Sequence, residues 1–312
     1  MSEVLAIGEY QPWDETAFAE EFGAALLQDL AALTSMPVSE RNRVRVVAHK
    51  GHARFDGATM DLLPQLGLIA NFGVGYDAID VAAAQERNIA VTNTPDVLTD
   101  DVADLAAVML VAQARQLVQG SDWVRSGNWG AQGPMPLNRT VRGRKVGIVG
   151  LGRIGHAIAQ RLAAFGMEIH YHSRSEKETP GWRYHADPVA LAEASDDLVV
   201  ALVGGPETEG YVSAEVLKAL GSDGLIVNIS RGSTIDEYAL LGALEKGTIR
   251  GAALDVFRNE PGIDPRFLAL DNVLLQPHQG SATIETRQAM GRLQRENVAA
   301  FLAGEALKTR VA

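Results

Sequence analysis

Cysteine is absent from this 312-residue chain. That absence excludes a disulfide framework, thiolate-bound zinc or iron–sulfur centres, and a cysteine nucleophile. It also fits a reducing compartment. Equally missing is a run of about eighteen apolar residues, the length that a membrane helix needs. The N-terminus, M-S-E-V-L-A-I-G-E-Y, has no basic region and no long apolar stretch. No signal peptide or membrane association is therefore expected, and the default location is the cytoplasm. Positive charge is scarce: 28 Lys+Arg against 39 Asp+Glu give a formal net charge of −11. This balance argues against non-specific binding to nucleic acid or an anionic membrane. An anionic ligand would have to be met by local positive potential.

What is present is ordinary for a globular protein, with 46% hydrophobic and 21% charged residues. At roughly 150 residues per domain, the length suggests two domains. Short apolar runs predict strands at Val4–Ile7, Val44–Ala48, Leu68–Asn71, Ile89–Thr92, Lys145–Val149, Glu168–His172, Asp197–Leu202, Gly224–Asn228, Gly251–Leu254 and Val273–Leu275. Stretches of helical period lie between most of them. This alternation is the pattern of an α/β protein with parallel sheets covered on both faces. One long helix is expected from Asp100, with Thr99 or Asp100 as its cap, to about Arg125. Ser126–Arg144 reads as an exposed arm, and a second long helix over about Ala282–Ala303 closes the chain. Two long helices flanking a central α/β unit suggest a discontinuous first domain, residues 1–99 plus 282–312, and a second domain over 100–281.

Lys145–Gly155 reads K-V-G-I-V-G-L-G-R-I-G, an apolar strand running straight into Gly150-x-Gly152-x-x-Gly155. A helix follows, with Ile158, Leu162 and Phe165 on one face. Gly150 permits the tight turn, Gly152 lets backbone approach a pyrophosphate, and Gly155 lets helix pack on strand. The helix N-terminus then offers free N–H groups to the anion. At the end of the next strand, where an acid would bond the ribose 2′-OH of NAD, the chain has Ser173-Arg174-Ser175. Arg174 could pair with a 2′-phosphate while the two hydroxyls donate hydrogen bonds, so NADP is expected over NAD. Lys177 could add to that positive patch.

Three polar motifs follow later strands: Asn228-Ile229-Ser230-Arg231-Gly232, Leu254-Asp255-Val256-Phe257-Arg258-Asn259-Glu260-Pro261, and Gln276-Pro277-His278-Gln279-Gly280. Ligands of open parallel sheets bind beyond the carboxyl ends of strands, so the motifs could converge on the reactive end of a bound cofactor. Reducing a ketone with NAD(P)H builds negative charge on the carbonyl oxygen. His278 can deliver the proton, Glu260 can fix its tautomer and favour the imidazolium, and Arg231 can clamp a carboxylate. No metal is required. The missing cysteine excludes thiol-dependent aldehyde oxidation and leaves direct hydride transfer.

These residues carry a family likeness. With Asn71-Phe72-Gly73-Val74-Gly75-Tyr76-Asp77 and Val91–Asp104, they make the chain resemble the D-isomer-specific 2-hydroxyacid dehydrogenases, most nearly the NADPH-dependent glyoxylate/hydroxypyruvate reductases. The likeness spans roughly residues 65–310. It implies two Rossmann-like or flavodoxin-like parallel-sheet domains with a cleft between them, the discontinuous one binding substrate and the other the dinucleotide. It implies a homodimer, with the helix and arm over 100–144 in the interface. It implies Arg231 as substrate anchor, Glu260 as orienting acid and His278 as proton donor. The backbone at Val74 and Gly75 would hold the substrate carboxylate, consistent with a glycine-flanked loop that offers N–H donors to an anion. Arg153 and Ile154 would line the pyrophosphate. Thr99 would sit near the nicotinamide and Asp255 would bond its carboxamide, with Ile229 and Gly280 close by. Trp129 would reach the partner subunit's active site.

The expectation is NADPH-dependent reduction of a small anionic 2-oxo acid, such as glyoxylate or hydroxypyruvate. An NAD-dependent enzyme acting on phosphoglycerate, lactate or an aryl acid is the alternative. A phosphorylated substrate would want basic residues in the first domain. His49, Lys50, His52 and Arg54 are the compact candidates there, and they read as loop surface. A non-catalytic NADP sensor is the remote alternative. Two departures from the family pattern, Gly204-Gly205 and Gln279, bear on the choice of substrate; Gln279 could meet substrate or only loop backbone.

Overall fold

Runs of three to five mostly apolar, often β-branched residues become short parallel strands in the structure, a computed structural model that describes residues 2–312. The chain divides into two compact units. One runs up to Leu98 and resumes over Thr283–Ala312; the other is Thr99–Ala282.

The first unit holds five parallel strands: β1 (Val4–Ile7), β2 (Ala25–Leu27), β3 (Val46–His49), β4 (Leu68–Asn71) and β5 (Ala90–Thr92), in the order β2-β1-β3-β4-β5. This is the flavodoxin-like order. Leu5, Ile7, Val47, Ile69 and Val91 alternate into a core completed by Phe55, Met60 and Leu63. The C-terminal helix Ile284–Ala303 belongs to this unit. Gln294 on it donates to the Ala70 carbonyl at 2.7 Å and bonds the buried Tyr10 hydroxyl at 3.0 Å.

The second unit holds β6 (Lys145–Val149), β7 (Glu168–His172), β8 (Arg183–His185), β9 (Asp197–Val200), β10 (Leu225–Asn228), β11 (Gly251–Leu254) and β12 (Val273–Leu275). All pair in parallel in the order β12-β11-β10-β9-β6-β7-β8, the doubly wound order of a Rossmann sheet. The order reverses between β6 and β9, so the carboxyl end of β6 faces the switch point. The helix Thr99–Ala114 lies against the helix Arg153–Ala164; its small buried residues, Ala103, Ala106 and Ala107, allow close approach.

The structure departs from the sequence reading in several places. Two strands were not expected. Both β2 and β8 are three-residue edge strands with no fully buried position: β2 is apolar but short and mostly exposed, and β8 reads R-Y-H with no apolar run. The single helix expected over Asp100–Arg125 is two, Thr99–Ala114 and Leu117–Arg125, separated at Gln116 with φ +48°. The first has nine buried residues and the second none, so the chain leaves the core at that break. Thr99 and Asp100 lie in the first turn rather than acting as caps. Phe165 is 46% exposed just beyond its helix and takes no part in the buried face of Ile158 and Leu162. His49 is not loop surface: it ends β3 and is 1% exposed. Lys50 lies over the rings of Tyr10 and Phe72, at 5.4 and 5.0 Å from their centroids.

Candidate active site

The glycine turn after β6 shows three different constraints at its three glycines. Gly150 has φ +100°, and a Cβ there would lie 2.7 Å from the Ala201 carbonyl oxygen. A Cβ on Gly155 would lie 2.0 Å from the Gly150 carbonyl oxygen, which is the close packing of helix on turn. A Cβ on Gly152 would meet nothing within 4 Å. Gly152 is also the cap of the twelve-residue helix Arg153–Ala164, and as glycine it brings no capping side chain. The turn therefore offers a helix N-terminus and open space at one place, which fits a pyrophosphate. Arg153 and Ile154 form the helix's first turn. Ser173-Arg174-Ser175 leaves the adjacent strand end, since Val149 pairs with His172. Ser173 Oγ donates to the Ser175 carbonyl at 2.6 Å. In this arrangement its proton is committed within the loop, so the expected pair of serine donors reduces to Ser175 beside the exposed Arg174.

The three polar motifs leave the neighbouring strands β10, β11 and β12. After β10, Asn228 Nδ2 donates to the Arg231 carbonyl at 2.9 Å and Thr234 Oγ1 donates to the same carbonyl at 2.7 Å. Arg231 itself donates from Nη1 to the Ser230 carbonyl at 2.9 Å. Gly232 is pressed against the β11 loop, where a Cβ would lie 2.0 Å from the Phe257 backbone. Ile229 is buried beside it.

Glu260 and His278 meet, with Oε2 2.7 Å from Nδ1. The other carboxylate oxygen accepts the Phe257 N–H at 2.8 Å. A carboxylate only accepts, so Nδ1 carries the shared proton.

Asp255 anchors the loop that carries this histidine. Its two side-chain oxygens accept the N–H groups of Gln279 at 2.6 Å and Gly280 at 2.8 Å, and its backbone carbonyl accepts that of His278 at 2.9 Å. His278 is held at φ +53°, a left-handed conformation rare outside glycine. Three hydrogen bonds from one residue over-determine that strained backbone. Burial pushes the Asp255 carboxyl up, against the lowering effect of its two backbone donors. The sequence suggested a cofactor contact for Asp255; the structure adds this loop-holding role. Gln279 donates to the Pro277 carbonyl at 3.1 Å, which assigns it to loop backbone in this structure. Thr99 opens the first helix of the same unit.

In the other unit, the loop after β4 is fixed by residues whose roles were not singled out in the sequence. Thr94 N–H donates to the Gly73 carbonyl at 2.9 Å, and Asn93 Nδ2 donates to the Val74 carbonyl at 3.0 Å. Asn71 Nδ2 donates to the Gly75 carbonyl at 2.9 Å. In a trans peptide, C=O and N–H point oppositely. Holding the Gly73 and Val74 carbonyls therefore turns the N–H groups of Val74 and Gly75 the other way. Among the described residues neither donates to a protein acceptor. The pair forms a small nest suited to a carboxylate.

Trp129 lies in the short helix Asn128–Gln132 of the arm and is 62% exposed. Leu117, Val118, Val124 and Leu137 are also exposed there. Among the described residues, no helix is long and apolar enough to cross a membrane.

Comparison with known proteins gives the family. Residues 107–280 match the model of the D-isomer specific 2-hydroxyacid dehydrogenase NAD-binding domain. A glyoxylate/hydroxypyruvate reductase of Arabidopsis thaliana is 44% identical over 273 residues, covering 88% of this chain and 87% of that protein. A 2-ketogluconate reductase of Gluconobacter oxydans is 43% identical over 268 residues, 86% of each. Among solved structures, the NADPH-dependent glyoxylate/hydroxypyruvate reductase of Sinorhizobium meliloti in complex with NADP and malonate superposes with a TM-score of 0.93. It is 43% identical, and the match covers 99% of this chain and 96% of that one.

Proposed function

The chain belongs to the D-isomer specific 2-hydroxyacid dehydrogenase family, and from that membership we propose that it uses NADPH to reduce small 2-oxo acids to D-2-hydroxy acids, with glyoxylate and hydroxypyruvate as the leading substrates. The observation that carries the reading is the Glu260–His278 pair at 2.7 Å, set in a strained loop that Asp255 holds in place. The relatives' activities and the NADP-bound neighbour support the substrate class and the cofactor.

Bound reduced nicotinamide supplies the hydride. The Gly150–Gly155 turn would hold its pyrophosphate, with Arg153 and Ile154 alongside, and Arg174 and Ser175 the 2′-phosphate. Thr99, Ile229, Asp255 and Gly280 would line the nicotinamide end. In the second unit the Arg231 guanidinium would clamp the substrate carboxylate and polarise the carbonyl; in the first, the N–H groups of Val74 and Gly75 are the donors suited to a carboxylate. His278, its Nδ1 proton held by Glu260, would deliver the Nε2 proton to the carbonyl oxygen as charge develops there. The exposed apolar residues of the arm suit a second copy of the chain, and Trp129 is the residue we assign to the partner's pocket.

Two substitutions test these roles. His278→Gln and Arg231→Ala should each lower kcat/KM by about two to four orders of magnitude. NADPH should still bind each variant within about twofold of the unaltered protein, because neither side chain serves the phosphates. Full activity of either variant would contradict the mechanism.

A further inference from the structure

We infer that Tyr171 and Tyr184 are positioning residues for cofactor discrimination, holding the Ser173–Lys177 loop in the shape that presents Arg174 to a 2′-phosphate. The inference rests on the NADP reading above and concerns how this chain achieves it.

Tyr171 lies within β7 and is 0% exposed. Its phenolic oxygen accepts the Lys177 N–H at 2.9 Å and donates to the Lys177 carbonyl at 3.0 Å. A buried hydroxyl is stable only where both its donor and acceptor capacities are met, and here one loop residue meets both. Tyr184 pairs with Tyr171 across the β7–β8 ladder, with ring centroids 5.5 Å apart. Its hydroxyl donates to the Ser173 carbonyl at 3.3 Å. Within the loop, Ser173 Oγ reaches the Ser175 carbonyl. The segment is thus tied at its first residue, at its last residue and once across its middle. The side chains of Arg174, Ser175, Glu176 and Lys177 remain exposed.

A guanidinium meets a phosphate through two parallel N–H groups, and that fork tolerates little misplacement. The hydroxyls of the two tyrosines bond the loop's backbone, at Lys177 and Ser173, so they act through Arg174 and Lys177. Loosening the loop should cost the 2′-phosphate contact and leave the pyrophosphate turn intact. The edge strand β8 gains a purpose by this account: it brings Tyr184 beside Tyr171, under the loop.

The test is equilibrium titration of the full-length protein with NADPH and with NADH, in the absence of substrate. Tyr171→Phe keeps the ring and removes both Lys177 bonds; Tyr184→Phe removes the Ser173 bond. Tyr171→Phe should weaken NADPH by about tenfold and NADH by less than about twofold. In an Arg174→Ala background, Tyr171→Phe should add little further loss, because the two substitutions remove one interaction. Parallel weakening of both nucleotides, or full additivity with Arg174→Ala, would overturn the inference. Should Tyr171→Phe fail to fold, Tyr184→Phe carries the same comparison at a half-buried ring. An unaltered protein that binds NADH as tightly as NADPH would defeat the NADP reading itself. An NADPH preference that survives both tyrosine substitutions would defeat only this inference.

Discussion

His49 shows what burial does to a single titratable group. It ends β3 at 1% exposure, and burial pushes its pKa down from 6.5 to about 4. As pH falls, the unfolded chain takes up this proton before the folded one does. The contribution to stability is therefore complete above pH 6.5 and declines until about pH 4, by roughly 3 kcal/mol. Denaturant unfolding at about pH 7 and about pH 4.5 measures it. His49→Phe, which fills the site against the Phe55 ring without a proton to bind, should flatten the pH dependence relative to the unaltered protein. An equal slope in both proteins would contradict this. The same scale shows where sequence reading stops. The pairing of Glu260 with His278 was legible because their chemistry is distinctive and each follows a strand. The roles of Asn71, Asn93 and Thr94 were not, since a side-chain amide or backbone N–H that holds a distant loop carbonyl leaves no pattern along the chain. Nor does spacing reveal that Asp255 holds the N–H groups of Gln279 and Gly280; only the β11–β12 adjacency brings them together.

At the scale of elements, the glycine turn after β6 separates two functions that a motif merges. Gly155→Ala would drive a methyl to 2.0 Å from the Gly150 carbonyl oxygen, so the helix must shift off the strand. This should cost about 2 kcal/mol or more, seen as a lower Tm with weakened nucleotide binding. Gly152→Ala adds its methyl into open space and should leave Tm within about a degree or two. It should still weaken dinucleotide binding by about tenfold or more, because the methyl occupies the approach to the helix N-terminus. Equal effects of the two substitutions on Tm would refute the distinction. The interior strands and this turn were readable from sequence because burial on both faces leaves unbroken apolar runs. The edge strands β2 and β8 were not: three residues are too few to set Ala25–Leu27 apart from the Ala- and Leu-rich stretch around it, and Arg183–His185 has no apolar run. The break at Gln116 was hidden for a related reason: apolar residues continue past it, yet Leu117, Val118 and Val124 face outward.

At the scale of the molecule, the chain couples a five-stranded flavodoxin-like unit to a seven-stranded Rossmann unit, and the first is completed by the last helix of the chain. The net charge of −11 is no obstacle to anionic ligands. On the function proposed above, attraction falls to a few places: the helix N-terminus at Gly152, Arg174 beyond β7, Arg231 and His278 beyond β10 and β12, and the amide pair at Val74 and Gly75. Two of these, the helix N-terminus and the amide pair, are backbone groups, which a charge count does not register. Steady-state consumption of NADPH and of NADH by the unaltered protein, each with glyoxylate and with hydroxypyruvate, tests the account most directly. The account predicts turnover of both 2-oxo acids, with kcat/KM favouring NADPH by about tenfold or more. No turnover of either acid with either nucleotide, or a preference for NADH, would contradict it.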